Sequence, residues 1–153
     1  MTEPIIRPAR PDEYDEVARV LMESWASTGL EPASDALLDK LSARVRQEIE
    51  SGWSLFVADD AGTLAAMLAL NLPRRYLDQL FVAPKYQGRG LGRRLLAFTR
   101  TQLPDEVWLR CVRENEKAWR WYEREGFLFE KEQLEPMTGR MMKYYRWRKG
   151  SRP

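Results

Sequence analysis

The sequence predicts an α/β fold with a mixed β-sheet at its centre. Short apolar segments typical of strands interchange along the chain with longer segments whose apolar residues recur at helical spacing. The length of 153 residues suits one domain with its own core, and an apolar content of 44% favours a packed globule over disorder. No repeat, low-complexity stretch or linker divides residues 1–153, so we expect a single domain.

The first half of the chain predicts a strand, two helices and a hairpin. Residues 5–6 form a short strand, and Pro11 opens a helix with an apolar stripe that ends at Trp25. A second helix is marked by apolar residues at helical spacing, namely Leu38, Leu41, Val45 and Ile49. Residues 53–58 and 64–72 are predicted strands joined by a hairpin turn.

The second half of the chain predicts four more strands and two helices. The strands span residues 76–82, 107–112, 127–131 and 140–147. The helices span residues 90–102 and 116–124, and Gly126 is well placed to end the second helix. The predicted order is β-α-α-β-β-β-α-β-α-β-β, with about seven strands and about four helices around one mixed sheet.

A glycine-rich turn at residues 87–92 lies between a predicted strand and a predicted helix, which is the arrangement of an anion cradle. Glycines allow turn conformations that other residues avoid and let a ligand approach the backbone closely. The first N–H groups of a helix have no internal partner, and the helix dipole favours negative charge there. Arg89, Arg93 and Arg94 add positive charge. The sequence therefore predicts a cofactor that carries phosphate.

Two common phosphate-binding motifs do not fit this turn. A Walker P-loop requires Lys and Ser/Thr after its last glycine, but Gly92 is followed by Arg93. The dinucleotide motif G-x-G-x-x-G, started at Gly88, also fails because its sixth position is Arg93.

The turn instead fits Q-x-x-G-x-G, filled by Gln87, Gly90 and Gly92. This resembles the acetyl-CoA signature of the GCN5-related N-acetyltransferase (GNAT) superfamily. A second segment, from Asn115 through Tyr122 to Gly126-Phe127, is similar to that superfamily's N-x-x-A-x-x-x-Y-x-x-x-G-F signature, at a fitting distance after the turn.

The resemblance implies that acetyl-CoA is the co-substrate and that the fourth and fifth strands are parallel but splayed apart. The pantetheine arm would enter the gap between them, and main-chain groups of the fourth strand and of the turn would bind the cofactor. The implied cofactor-binding residues are Phe81, Val82, Gln87, Gly88, Arg89, Gly90, Leu91, Gly92, Arg93 and Asn115. Asn115 could equally be a helix N-cap.

The implied chemistry is attack of a primary amine on a thioester, which requires a neutral amine. For a lysine-like amine, deprotonation at pH 7 costs about 4.6 kcal/mol, so a proton acceptor is needed. Tyr122 matches the superfamily's tyrosine that protonates the leaving thiolate, although its helix position also suits core packing.

The general base does not carry over from the resemblance. Some relatives place a glutamate five residues before the motif asparagine, but here that residue is Arg110, which cannot accept a proton. We hypothesise that Asp78 is the base. A solvated carboxylate at a strand end is the alternative interpretation of Asp78.

These features favour an acetyl-CoA-dependent N-acetyltransferase acting on a primary amine of a small molecule or peptide. The alternative is a non-catalytic acyl-CoA-binding sensor or assembly module. The net charge of +2 gives no general argument for nucleic acid, and the arginines beside the turn are better explained by cofactor phosphates. A homodimer through the last two strands is compatible with the pattern.

Metal chemistry and membrane insertion are not predicted. With no His and one Cys, Cys111, we expect no metal site, and Cys111 itself is expected to be a buried structural thiol. No signal peptide and no apolar stretch long enough to span a bilayer is present, so we expect a cytoplasmic location. The basic tail at residues 148–153 is expected to fray.

Overall fold

Seven strands form one mixed sheet in the order β1-β2-β3-β4-β5-β7-β6 in the computed structural model, which describes residues 3–150. The strands are β1 (Ile5–Pro8), β2 (Ser54–Asp60), β3 (Thr63–Asn71), β4 (Tyr76–Val82), β5 (Glu106–Val112), β6 (Leu128–Glu135) and β7 (Arg140–Arg148). The helices are α1 (Tyr14–Ala26), α2 (Asp35–Ser51), α3 (Leu91–Gln102) and α4 (Glu116–Arg124). The predicted fold class and order of elements are confirmed.

At the helix ends, main-chain groups that have no partner within the helix form hydrogen bonds with nearby residues. Ser34 caps α2, because its hydroxyl accepts the N–H of Leu37 at 3.0 Å, and Gly52 follows the helix with φ of +129°. Gly126 follows α4 with φ of +99°, and Phe127 donates its N–H back to the carbonyl of Tyr122 at 3.0 Å. The predicted role of Gly126 in ending α4 is therefore confirmed.

The core lies between the sheet and its helices. Strand β3 is buried along almost its entire length, and the inward stripe of α1, including Val17, Ala18 and Leu21, is buried with it. Helix α1 packs against α2, β3 and β4, while α3 packs against β3 and β4. This packing fixes the start of α3 relative to the end of β4.

The last two strands differ in extent from the prediction. Strand β6 continues to Glu135 rather than ending near residue 131, because its polar second half pairs with β7 as the edge of the sheet. Its side chains are exposed on both faces of the sheet, so β6 shows no apolar alternation. Arg148, predicted to begin a frayed tail, instead pairs with Glu106 of β5, and residues 151–153 lie outside the described residues.

Strands β4 and β5 are parallel neighbours that separate after one pair of residues. Tyr76 is in register with Trp108, and no later pair forms between these two strands within residues 3–150. On its other side, β4 pairs with β3, where Leu77 lies opposite Leu70 and Gln79 lies opposite Ala69. Asp78 has no partner in this register and is therefore the extra residue of a β-bulge. A bulge bends and twists its strand. It therefore accounts for the predicted splay, which the structure confirms.

Candidate active site

The turn before α3 presents a row of free main-chain donors. Gly88 and Gly90 have φ of +78° and +79°, and a Cβ at either position would meet nothing within 4 Å. Within residues 3–150, the N–H groups of residues 88–93 donate to no other main-chain group, whereas that of Gln87 bonds the carbonyl of Pro84 at 3.3 Å. The free donors therefore begin at Gly88, one residue later than predicted, and most residues of this segment line an open cavity in front of the turn.

The arginines near the turn point in three different directions. Arg93 lines the space in front of the turn and pairs with Glu125 at 3.2 Å. Arg89 lies over the ring of Tyr86, with its guanidinium carbon 5.6 Å from the centroid. Arg94 faces away, because it donates to the carbonyl of Pro4 at 2.8 Å. The predicted cluster of three arginines is thus divided, and Arg93 is the one that lines the cavity.

Gly92 has a packing role in addition to its place in the motif. A Cβ on this residue would lie 3.2 Å from the indole of Trp121, so its absence allows α3 to approach α4 closely. Gln87 supports the end of β4, because its side-chain amide donates to the carbonyl of Val82 at 3.0 Å. Ser24 of α1 donates to the same carbonyl at 3.1 Å. Both residues therefore hold the end of β4 in place.

The direction of the main chain in β4 decides which groups face the gap. Ala83 donates its N–H to Ala65 of β3 at 2.8 Å. Because direction alternates along an antiparallel strand, the main-chain groups of Phe81 also point toward β3, whereas those of Leu80 and Val82 point into the gap. Leu80, which the sequence analysis did not single out, therefore faces the gap, and Phe81 contributes its side chain instead.

Two cavities meet in the splayed region. The turn cavity, about 820 Å³, is lined by the glycine turn and the start of α4, including Gly88, Gly90 and Arg93. The gap cavity, about 350 Å³, lies between α1, α2, β4 and β5 and includes Tyr76, Asp78 and Arg110. The two cavities meet at five residues that line both of them, namely Leu80, Phe81, Asn115, Ala118 and Tyr122.

Tyr122 lies at this junction and is only 7% exposed. Its ring packs edge-on against Phe127 at 5.5 Å between centroids, in the turn that Gly126 forms. Burial raises the pKa of Tyr122 well above its ordinary value, and the neighbouring Cys111 and Tyr76 act in the same direction. The phenol therefore keeps its proton at neutral pH, as a proton donor must.

Asp78, the bulge residue, lines the gap cavity and is half-buried. One carboxylate oxygen accepts the indole N–H of Trp53 at 2.8 Å, and the other accepts the side-chain amide of Gln79 at 3.1 Å. Each oxygen keeps a further acceptor position. The same charge contributes to the raised pKa of Tyr76, about 12, which burial causes in the main.

Arg110 forms an ion pair inside the gap cavity. Its guanidinium donates to Glu135 at 3.0 Å and lies 3.5 Å from the hydroxyl of Tyr144. Burial opposes the charge of Arg110, but its contacts with Tyr76, Tyr144 and Glu135 raise its pKa overall. Backbone donation from Met137 and the contact with Arg110 lower the pKa of Glu135. The pair is thus charged at neutral pH.

Asn115 and Cys111 line the same region. Asn115 occupies the N-cap position of α4, as the N-cap interpretation predicts, although its side chain makes no capping hydrogen bond. Cys111 lines the gap cavity, and burial raises the pKa of its thiol to about 12. The thiol is therefore protonated at neutral pH, but Cys111 is only partly buried and lines the cavity, whereas the sequence predicted a buried structural thiol.

Comparison with known protein families shows which family the chain belongs to. The model of the Acetyltransferase (GNAT) family matches residues 14–127. The chain belongs to the GNAT acetyltransferase family. The match spans α1 through Phe127 and so includes the bulge, the glycine turn and Tyr122. No curated protein matches the sequence significantly.

Solved GNAT structures share this fold at low sequence identity. Apo YjaB from Escherichia coli superposes with a TM-score of 0.77 at 22% identity, covering 96% of this chain and 98% of that chain. An acetyltransferase from Thermus thermophilus gives a TM-score of 0.76 at 20% identity, covering 97% of each chain. PaiA N-acetyltransferase from Thermoplasma acidophilum, solved with coenzyme A, gives 0.71 at 18% identity, covering 94% and 98%.

Metal-ligand clusters and membrane-spanning helices are both absent from residues 3–150. Residues 3–150 contain no group of three or more His, Cys, Asp or Glu side chains arranged to hold a metal ion. Among the same residues, no helix has both the length and the apolar character needed to cross a bilayer.

Proposed function

We propose that this GNAT protein transfers an acetyl group from acetyl-CoA directly to a primary amine of a small molecule or peptide. The observation that carries the proposal is the position of Tyr122 where the turn cavity meets the gap cavity. A cofactor held in one cavity and an amine held in the other would meet beside this phenol. The coenzyme A complex of PaiA N-acetyltransferase supports the choice of cofactor.

The turn cavity fits the phosphates of coenzyme A. Residues 88–93 supply free N–H groups, Gly88 and Gly90 leave the approach open, and Arg93 adds a positive charge. Each hydrogen bond to a charged group contributes roughly 1.5–3 kcal/mol, so a few of them would anchor a diphosphate. The N–H of Val82 and the main chain of Leu80 would bind the pantetheine arm in the gap.

The cofactor would supply the acetyl thioester, and the protein would manage two protons. Asp78 accepts a proton from the amine, directly or through a water, as the new C–N bond forms. Tyr122 donates its proton to the sulfur as the C–S bond breaks. Asp78 lines only the gap cavity, whereas Tyr122 lines both cavities, so one can act on the amine and the other on the leaving group.

A thiol-release assay with acetyl-CoA and a broad panel of amines tests the proposal. We expect amine-dependent release that Tyr122→Phe slows by about 10²-fold or more, the usual range for loss of a general acid. Tyr14→Phe is the matched control, because this tyrosine lines neither cavity. Release that needs no amine and is unchanged in Tyr122→Phe would contradict the proposed mechanism.

The same assay distinguishes the alternative of a non-catalytic acyl-CoA-binding module. Arg110 in place of a carboxylate is the feature that favours it, while Asp78 in the gap cavity and the protonated Tyr122 favour catalysis. Tight binding of acetyl-CoA without transfer to any amine of the panel would support the module and contradict the enzyme.

A further inference from the structure

The gap cavity has a basic wall contributed by α2. Leu37, Lys40, Leu41 and Arg44 recur at helical spacing, lie on one face of the helix and all line the cavity. The two leucines provide an apolar surface, and the two cations stand beside them. Both cations are exposed at the mouth, so they are in reach of an entering ligand.

The charges that line the gap cavity are unevenly paired. The carboxylates are Glu31, Asp78 and Glu135, and the cations are Lys40, Arg44, Arg110 and Arg140. Arg110 and Glu135 neutralise each other at 3.0 Å. Within residues 3–150, Lys40, Arg44 and Arg140 form no ion pair, although Arg140 lies over the ring of Trp25 at 5.8 Å. Among the described residues, the cavity thus keeps three cations and two carboxylates, Glu31 and Asp78, outside ion pairs, which is an excess of one positive charge.

The unpaired charges lie on different elements. Asp78 is on β4, whereas Lys40 and Arg44 are on α2. Asp78 has acceptor positions left after its bonds to Trp53 and Gln79. One charged side of the cavity is therefore suited to an amine and the other to an anion. A polyamine, which carries a second positive charge, would bring that charge toward unpaired cations.

We propose that the acceptor is an amine that also carries a carboxylate, with its amino group against Asp78 and its carboxylate against Lys40 and Arg44. This inference rests on the proposed function and narrows its substrate class to amino acids and short peptides with a free carboxyl end. The apolar residues Leu37 and Leu41 lie on the same face of α2 as the two cations and would contact the carbon chain that joins the amine to the carboxylate.

Matched acceptor pairs test the inference. The panel contains α-, β- and longer ω-amino acids and a dipeptide, each beside the amide of its own carboxyl group, together with spermidine. We expect kcat/KM to favour the acid over its amide by about fivefold to tenfold in at least one pair, and added salt to reduce the preference. Equal values for acid and amide in every pair, or a preference for spermidine, would overturn the inference.

Charge-removing variants identify the side chains responsible. We expect Lys40→Gln and Arg44→Gln each to raise KM for the preferred acid by about fivefold, the upper range for an exposed charge pair, without changing KM for acetyl-CoA. The amide should be used as before. Arg46→Gln is the matched control, because it lies on the same helix, contacts Asp15 and does not line the cavity. A variant effect equal on acid and amide would overturn the assignment.

The outcomes distinguish failure of this inference about the acceptor from failure of the proposed acetyltransferase activity. If acetyl is transferred to amines whether or not they carry a carboxylate, the proposed acetyltransferase activity is supported and the proposed class of acceptor is excluded. Absence of transfer to every amine, with or without a carboxylate, would reject both.

Discussion

At the scale of single residues, the position of Tyr122 can be predicted from local sequence, whereas that of Asp78 cannot. The spacing from Asn115 to Tyr122 and Gly126 is local, and it correctly predicted a helix whose end is closed by that glycine. Asp78 is predicted as the base from its place near the start of the strand that leads into the glycine turn, but its placement in the cavity follows from the bulge, which depends on the register with β3. That register is not encoded in the residues around Asp78.

The contact of Ser24 with Val82 shows why other site residues escaped sequence reasoning. The two residues are 58 positions apart, and the hydrogen bond of 3.1 Å forms only because α1 packs on β4. Leu80 was missed for a related reason, since an ordinary apolar strand residue gives no sign of which way its main-chain groups point. Both depend on tertiary packing rather than on a local pattern.

Replacement of Asp78 tests its assignment as the base. Asp78→Asn keeps an oxygen that can accept the indole N–H of Trp53, so the fold should be retained. We expect kcat to fall by about 10²-fold, and the pH–rate profile to change, because an amide cannot accept the proton. Asp39→Asn, an exposed change outside both cavities, is the control. An unchanged pH–rate profile would exclude Asp78 as the base.

At the scale of elements, the splay and the glycine turn make β4 and α3 one functional unit. The bulge separates β4 from β5, and the turn that follows β4 places the free N–H groups at the start of α3. The sequence predicted the turn because glycine spacing is local. It did not predict how far β6 extends, since β6 is held by its partner β7 rather than by its own alternation.

The backbone conformation of the turn can be tested with two equivalent glycines. Gly90 has φ of +79° and Gly29 has φ of +80°, and a Cβ on either would contact nothing within 4 Å. We expect Gly90→Ala and Gly29→Ala each to lower the free energy of unfolding by about 1 kcal/mol, because alanine is strained in the left-handed region. Urea denaturation measures this loss.

Only the Gly90 variant should affect the cofactor. Strain at this position displaces the N–H groups that face the turn cavity, so Gly90→Ala should weaken coenzyme A binding by about tenfold. Gly29 lies in the loop before α2 and lines neither cavity, so its variant should bind normally. Equal coenzyme A affinity in the two variants would contradict the assigned role of the turn.

At the scale of the whole molecule, long-range strand pairing gives the sheet an order that differs from the order of the strands along the chain. Strand β7 lies between β5 and β6, which makes β6 the edge. The exposed apolar residues on that edge are Leu128, Phe129 and Leu134. A homodimer through the last two strands stays a prediction. At the other end of the sheet, Arg7 of β1 joins Glu13 at 2.6 Å and Asp59 of β2 at 3.1 Å.

This ion cluster predicts how stability depends on pH. The hydrogen bond from Arg7 lowers the pKa of Glu13 from its ordinary 4.5 to about 2, although burial opposes the shift. A carboxyl with a lowered folded-state pKa contributes stability above its unfolded pKa and loses it as pH falls through the folded value. We therefore expect the contribution of Glu13 to decline between pH of about 4.5 and about 2.

Two variants isolate this contribution in denaturation curves measured across that pH range. Glu13→Gln should be less stable than the wild type at neutral pH and should show a flatter decline in acid. Glu16→Gln, which removes an exposed carboxylate 3.8 Å from Arg19, should behave like the wild type. If Glu13→Gln loses stability in acid as steeply as the wild type, the cluster does not control this response.

The central claim is that the glycine turn binds the cofactor and that Tyr122 acts on it without being needed to hold it. Calorimetric titration of the wild type and of Tyr122→Phe with acetyl-CoA tests this claim most directly. We predict measurable heat and similar dissociation constants for the two proteins, although only the wild type transfers acetyl at full rate. Absence of heat from the wild type at saturating acetyl-CoA would contradict the account.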